Sequence, residues 1–248
     1  MTALPGSRSA ATSQAGPAVP SAIRRTLPNT LTAVRVVMAV LVLAVLTFWR
    51  FESSAAEAHA VDWWLIFAAA LFITATLTDA LDGHLARRWG TETAFGRIMD
   101  PFADKLLVIG ALVFLAGPDF WVATPEKHRF IGHGFQLSGI YPWMVVVIVG
   151  RELLVTSIRG VLEGQGVRFG ADVWGKLKML TQSVAVPTVL ITIAVTDVLI
   201  TPDHRPWGRW LIDSAVWTMV LVTALSGLPY ILRALAHFFA WNQARKAP

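Results

Sequence analysis

The sequence predicts an all-α integral membrane protein of six transmembrane helices, with an N-terminal segment at the membrane interface. Three observations predict it. Of the 248 residues, 55% are hydrophobic and only 15% are charged, against roughly 25% charged in soluble domains; mean hydropathy is +0.57. Apolar runs recur along the chain at about the 20-residue length that a ~30 Å hydrocarbon core requires. Basic residues divide unequally between the two sides of those runs, the bias of cytoplasmic loops.

The elements follow in order. Residues 1–20, rich in Ala, Ser, Pro and Gly, read as a disordered tail. The first long apolar run begins beyond residue 30, which argues against a signal peptide. Residues 19–27 mix apolar side chains with Arg24 and Arg25, the composition of a short helix on the membrane surface, with a plain linker as the alternative. Pro28 and Asn29 predict a helix start, and the first span runs from there to Phe48. Arg35 lies about one turn inside it and reads as an interfacial anchor that snorkels. Residues 49–60 form a short acidic loop.

Span two covers about 61–81 and continues as a polar extension toward Trp89. Span three covers about 97–116. Residues 117–139 read as a loop whose His128 and His133 lack a partner at metal-ligand spacing, so solvent exposure is expected for both. Span four covers about 140–154, and 153–162 continue its helix. Span five covers about 177–199, with a kink expected at Pro187. Span six covers about 210–232, with Gly227 and Pro229 near its end. Residues 21–240 thus read as one membrane domain, followed by a short basic tail at 241–248.

Several of the 11 Trp sit near span ends (Trp49, Trp63, Trp64, Trp89, Trp207, Trp210, Trp241), as interface anchoring predicts. Cysteine is absent, which excludes disulfide and thiolate chemistry. With a cytoplasmic N-terminus and alternating spans, only Arg50, Lys127, Arg129, Arg205 and Arg209 of the 21 Lys and Arg fall on the far side. The net charge of +5 therefore speaks for topology and lipid headgroups, and not for nucleic acid.

Between spans two and three, Asp79 to Asp104 reads DALDGHLARRWGTETAFGRIMDPFAD. Helical positions three or four apart share a face, so Asp79 pairs with Asp82, and Asp100 with Asp104. Two such helices side by side bring four carboxylates into one pocket. Bare charges at that range repel and take up protons; Mg2+ or Mn2+, which prefer hard oxygen ligands, is the simple remedy. Gly83 and the small Ala86 on the same face admit a nucleotide or diphosphate close to the backbone, with close helix packing as the alternative. Arg87 offers a planar fork to phosphate oxygens, while Arg88 points elsewhere, toward headgroups.

A second cluster follows span four: Arg151, Arg159, Arg168, Lys176 and Lys178. A phosphorylated acceptor requires cationic partners of this kind; topology and anionic-lipid binding are the plainer explanation. Arg151 and Glu152 at the end of a buried run favour a site, with Glu152 orienting Arg151 or a neighbouring base.

The spacing D-x2-D-G-x2-A-R-x8-G-x3-D-x3-D, kept without a departure, resembles the signature of the CDP-alcohol phosphatidyltransferases, integral membrane enzymes of phospholipid synthesis. PNTLTAVR resembles the PNxLTxxR opening of their phosphatidylglycerophosphate synthase branch, in which the first helix starts beside the nucleotide site. RELLVTSIRG and GKLKMLTQ resemble that branch's REx…R and GKxKTxxQ features, although Met179 stands where Thr is common, a departure that bears on the acceptor. The resemblance covers most of 28–182.

The resemblance implies two divalent ions, Mg2+ or Mn2+, on Asp79, Asp82 and Asp100, with Asp104 as the base toward the acceptor hydroxyl or as a further ligand. It implies a CDP moiety held by Gly83, Ala86, Arg87 and Gly96, and an acceptor phosphate held by Arg151, Lys176 and Lys178. The implied substrates are CDP-diacylglycerol and glycerol 3-phosphate, the products CMP and phosphatidylglycerol phosphate. The implied location is the inner (cytoplasmic) membrane, multi-pass among membrane lipids, with the site facing the cytoplasm; a homodimer stays open. Another acceptor, giving a cardiolipin or inositol-lipid synthase, is the nearest alternative. A divalent-cation transporter is more distant, because the acids cluster at one face and mark no path across the bilayer.

Overall fold

A computed structural model describes residues 22–50, 61–89, 94–123, 134–166, 173–195 and 206–244. They form α1 (Ala22–Phe48), α2 (Trp63–Trp89), α3 (Ala94–Leu115), α4 (Pro142–Gly164), α5 (Val173–Val195), α6 (Pro206–Leu225) and α7 (Leu228–Ala244). A 3-10 turn at Pro118–Phe120 leads into a small hairpin of β1 (Trp121–Ala123) and β2 (Gly134–Gln136). The expectations for residues 1–20, for His128 and His133, for Arg168 and for the end of the basic tail lie outside the described residues.

Packing explains why these elements hold together. α1 lies against α2 and α3, α2 against α5, and α5 against α6, while α4 touches α3, α6 and α7. Ala39, Ala68, Ala69, Ala75 and Ala111 are buried at these contacts among Val42, Leu46, Leu65, Phe72 and Leu112. Small residues let helix backbones approach closely where apolar surroundings give no driving force of their own. Large apolar side chains also face outward: Val37, Val40, Leu77, Val113, Val146 and Leu221 are exposed. Four stretches are long and apolar enough to cross a membrane: Thr30–Phe48, Trp63–Ala80, Val173–Val195 and Trp207–Phe239. α3 and α4 fall short of that measure because their sequences carry charges: Arg97, Asp100, Asp104 and Lys105 in one, Arg151, Glu152, Arg159 and Glu163 in the other.

Three expectations need correction. α1 begins at Ala22 and runs through Pro28; the fixed φ of proline is itself helical, and what it removes is one hydrogen bond. The stretch expected as one continuous sixth helix is interrupted, with α6 ending at Leu225 and α7 beginning at Leu228, although Trp207–Phe239 remains one long apolar stretch. Residues 117–139 are not all loop, because Val122 pairs with Phe135 in the antiparallel hairpin. That hairpin closes the end of α3: the side chains of Gln136 and Ser138 both donate to the carbonyl of Leu115, one of the acceptors a helix end leaves unpaired.

The same end of the bundle is fastened by Asp62. Its carboxylate accepts from Trp49 Nε1 at 2.6 Å and caps α2 through the amides of Trp64 and Leu65. Trp49 also stacks on Phe120 at 4.4 Å between centroids. It is buried, so it packs rather than anchors, whereas Trp63, Trp64, Trp207 and Trp210 are exposed as interface residues are. This braced end leaves the opposite end of the bundle for chemistry.

Candidate functional site

At that opposite end α1 delivers two polar side chains into the protein. Thr32 and Arg35, three residues apart and so on one helical face, are 2% and 1% exposed. Arg35 Nη1 lies 2.6 Å from Asp79 Oδ1 and 3.7 Å from Asp100 Oδ1. Thr32 Oγ1 donates to Asp100 Oδ1 at 2.8 Å. The guanidinium is therefore not a snorkelling anchor. It is a buried cation that pulls together the first and third carboxylates of the Asp79–Asp104 spacing. Those carboxylates remain partly open, with side chains 30% and 45% exposed, so the cation sits behind and the oxygens face out.

Asp104 lies one turn beyond Asp100 on α3, partly buried. The charges acting on it belong to Lys178, Asp79, Glu152 and Arg35. It thus stands between the acidic cluster and a second, basic cluster. Pro101 lies inside α3 immediately after Asp100 and removes one backbone hydrogen bond there.

The second cluster is built on α4 and α5. Glu152 Oε1 accepts from Lys178 Nζ at 2.8 Å and from Arg151 Nη1 at 3.0 Å. All three side chains are about nine-tenths buried, an arrangement that needs such pairing to offset desolvation. Arg151 Nη2 also donates to the carbonyl of Ser226, where α6 ends, at 3.2 Å. Its Nε is buried and has no hydrogen-bond partner among the described residues. Lys176 does not join this group: it is exposed on α5, two positions from Lys178 and hence on another face. Arg159 pairs with Glu163 one turn on.

Asp82, Gly83, Ala86, Arg87 and Gly96 are carried by α2 and α3, but as side-chain positions they lie outside the described residues. Among the described residues no three His, Cys, Asp or Glu stand close enough to hold a metal ion. The donor set nevertheless has the right chemistry for a hard divalent cation, being carboxylate oxygen throughout. Sequence reasoning missed Thr32 and misread Arg35; the Thr-x-x-Arg spacing was the available signal. It also missed the carbonyl of Ser226 and the ring of Tyr230, which only the fold brings to Arg151.

Comparison with known proteins adds to this geometry. The profile of the CDP-alcohol phosphatidyltransferase family matches residues 25–241. A CDP-diacylglycerol–glycerol-3-phosphate 3-phosphatidyltransferase of Bacillus subtilis is 33% identical over 211 residues, 82% of this chain and 92% of that protein. A probable phosphatidylglycerophosphate synthase of Mycobacterium tuberculosis is 33% identical over 213 residues, 84% of this chain and 81% of that protein. An Escherichia coli protein with the same name as the Bacillus one is 35% identical over 132 residues, 51% of this chain and 62% of that protein.

Proposed function

The chain belongs to the CDP-alcohol phosphatidyltransferase family, and on that premise we propose that it transfers a phosphatidyl group from CDP-diacylglycerol to glycerol 3-phosphate. The observation that carries this reading is two charged clusters of opposite sign at the same end of the bundle. Asp79, Asp100 and Asp104 form the acidic cluster, and Lys178 and Arg151, joined through Glu152, form the basic cluster. The names of the relatives supply the two substrates.

In the reaction a hydroxyl oxygen of glycerol 3-phosphate attacks the lipid-side phosphorus of the diphosphate. The new P–O bond forms as the bond to the CMP oxygen breaks. The hydroxyl proton goes to the Asp104 carboxylate, which lies between the two clusters. Lys178 and Arg151 hold the acceptor phosphate. Gly83, Ala86, Arg87 and Gly96 take the CDP moiety, as the family spacing implies. Asp79, Asp82, Asp100 and Asp104 would hold Mg2+ or Mn2+, which supplies positive charge for a diphosphate when bound. Arg35, fixed behind Asp79 and Asp100, keeps these carboxylates together.

Six crossings of the inner membrane complete the reading: the four long apolar stretches together with α3 and α4. The basic bias of the loops supports a cytoplasmic site. The test is direct. Purified protein is given CDP-diacylglycerol with glycerol 3-phosphate, phosphatidylglycerol, inositol or inositol phosphate, and the lipid product is identified by mass spectrometry. Phosphatidylglycerol phosphate is expected; a product from another acceptor overturns the assignment.

A further inference from the structure

The joint between α6 and α7 grips the basic cluster of the site, and no part of the family spacing includes it. Ser226 is buried and its carbonyl accepts from Arg151 Nη2. Gly227 comes next, and a Cβ there would stand 3.3 Å from Arg151 Cγ. A side chain there would press on the arginine stem, which lies against the joint. Tyr230 follows in the first turn of α7, 4% exposed. Its ring centroid lies 6.0 Å from the guanidinium carbons of both Arg151 and Arg159, at the outer limit of a cation–ring contact. Its hydroxyl lies 3.9 Å from the Cβ position of Gly175, at the start of α5 and three residues before Lys178.

We propose that Tyr230 is a positioning residue for the acceptor site, its ring holding the guanidinium groups of Arg151 and Arg159 in place for a phosphate oxyanion. The physical case rests on rotamer freedom. Arg151 reaches its position through a long side chain and has a hydrogen bond at each of its two terminal nitrogens. A flat ring alongside denies the guanidinium its alternative orientations and, facing it with π density, favours its charge. Less freedom is then lost when phosphate binds, which is the benefit of preorganisation. The same ring spans α4, where both arginines sit, and approaches α5, where Lys178 sits, so one side chain of α7 spaces the two helices that carry the acceptor's cations.

The inference rests on the acceptor reading given above, and the experiment separates the two. Wild type, Tyr230→Leu and Tyr230→Phe are purified, checked for folding by detergent size exclusion and melting, and assayed with each substrate varied in turn. Tyr230→Leu is expected to raise KM for glycerol 3-phosphate about three- to tenfold, the scale of one partly desolvated cation–ring contact, with KM for CDP-diacylglycerol unchanged. Tyr230→Phe keeps the ring and is expected to restore the wild-type value. An unchanged KM in Tyr230→Leu overturns the proposal. So does a rise for both substrates, a fall in kcat alone, or a Phe variant as impaired as Leu. If wild type uses a different acceptor, the functional reading fails, and the same split measured on that acceptor still decides the role of Tyr230.

Discussion

Arg35 and Asp79 form an ion pair whose two members have very different access to solvent. The guanidinium is 1% exposed and the carboxylate 30%, with 2.6 Å between them. Removing one partner is therefore not equivalent to removing the other. Asp79→Asn takes a close partner from a buried cation, with Asp100 at 3.7 Å among the neighbours that stay. Arg35→Met takes the same pair from a carboxylate that water can reach.

The first prediction follows from that asymmetry. In metal-free buffer Asp79→Asn loses on the order of 3 kcal/mol of stability, the scale for breaking a buried pair by removing one partner. Arg35→Met loses less. Melting of the purified variants in detergent checks the order; equal losses, or a milder effect in Asp79→Asn, refute it.

Metal removal is the second prediction. Activity disappears with a strong chelator and returns with Mg2+ or Mn2+, because clustered carboxylates need a cation before they face a diphosphate. Asp100→Asn weakens turnover and metal dependence together. Full turnover in metal-free buffer would sink the metal assignment.

What was legible in the sequence was what local periodicity encodes. Asp100 and Asp104 share a face because they are four apart on a helix, and Arg151 stands next to Glu152 in the chain. Arg35 was not legible. A polar residue one turn inside a span satisfies both snorkelling and burial, and only the packing of α1 across α2 and α3 decides between them. The interruption of the last expected helix shows the same limit. Gly227 and Pro229 signal an end, yet apolar character continues to Phe239. The composition is that of one long span, while the backbone turns at Ser226 and Gly227. The link from α6 to Arg151 arises at this turn, and no spacing rule reaches across 75 residues to find it.

Topology is the third prediction. Five of the 21 Lys and Arg lie on the far side of the expected spans, so both termini and residues 83–97 face the cytoplasm. Native cysteine is absent, so single introduced cysteines report cleanly. Cysteines in 83–97 stay unlabelled by an impermeant reagent in intact cells and are labelled after lysis. Ready labelling from outside reverses the orientation.

The last prediction concerns the acceptor, and here the structure changes what the residue types alone suggest. Arg151, Lys176 and Lys178 are equally basic, but only Arg151 and Lys178 are buried and tied to Glu152; Lys176 is exposed. A phosphate held by a preorganised cation loses binding in the ground state and the transition state together when that cation goes. Arg151→Ala and Lys178→Ala therefore raise KM for glycerol 3-phosphate by about tenfold, the factor that ~1.4 kcal/mol of lost charge-assisted hydrogen bonding represents. KM for CDP-diacylglycerol moves little. Lys176→Ala changes either constant less than about twofold, because an exposed, screened charge contributes under ~1 kcal/mol. Arg87→Ala carries the opposite bias, raising KM for the donor. The contrast between substrates matters because general misfolding depresses turnover with both alike. If Arg151→Ala and Lys178→Ala leave glycerol 3-phosphate kinetics unchanged, the cluster serves topology and anionic lipid, and the acceptor assignment loses its physical support.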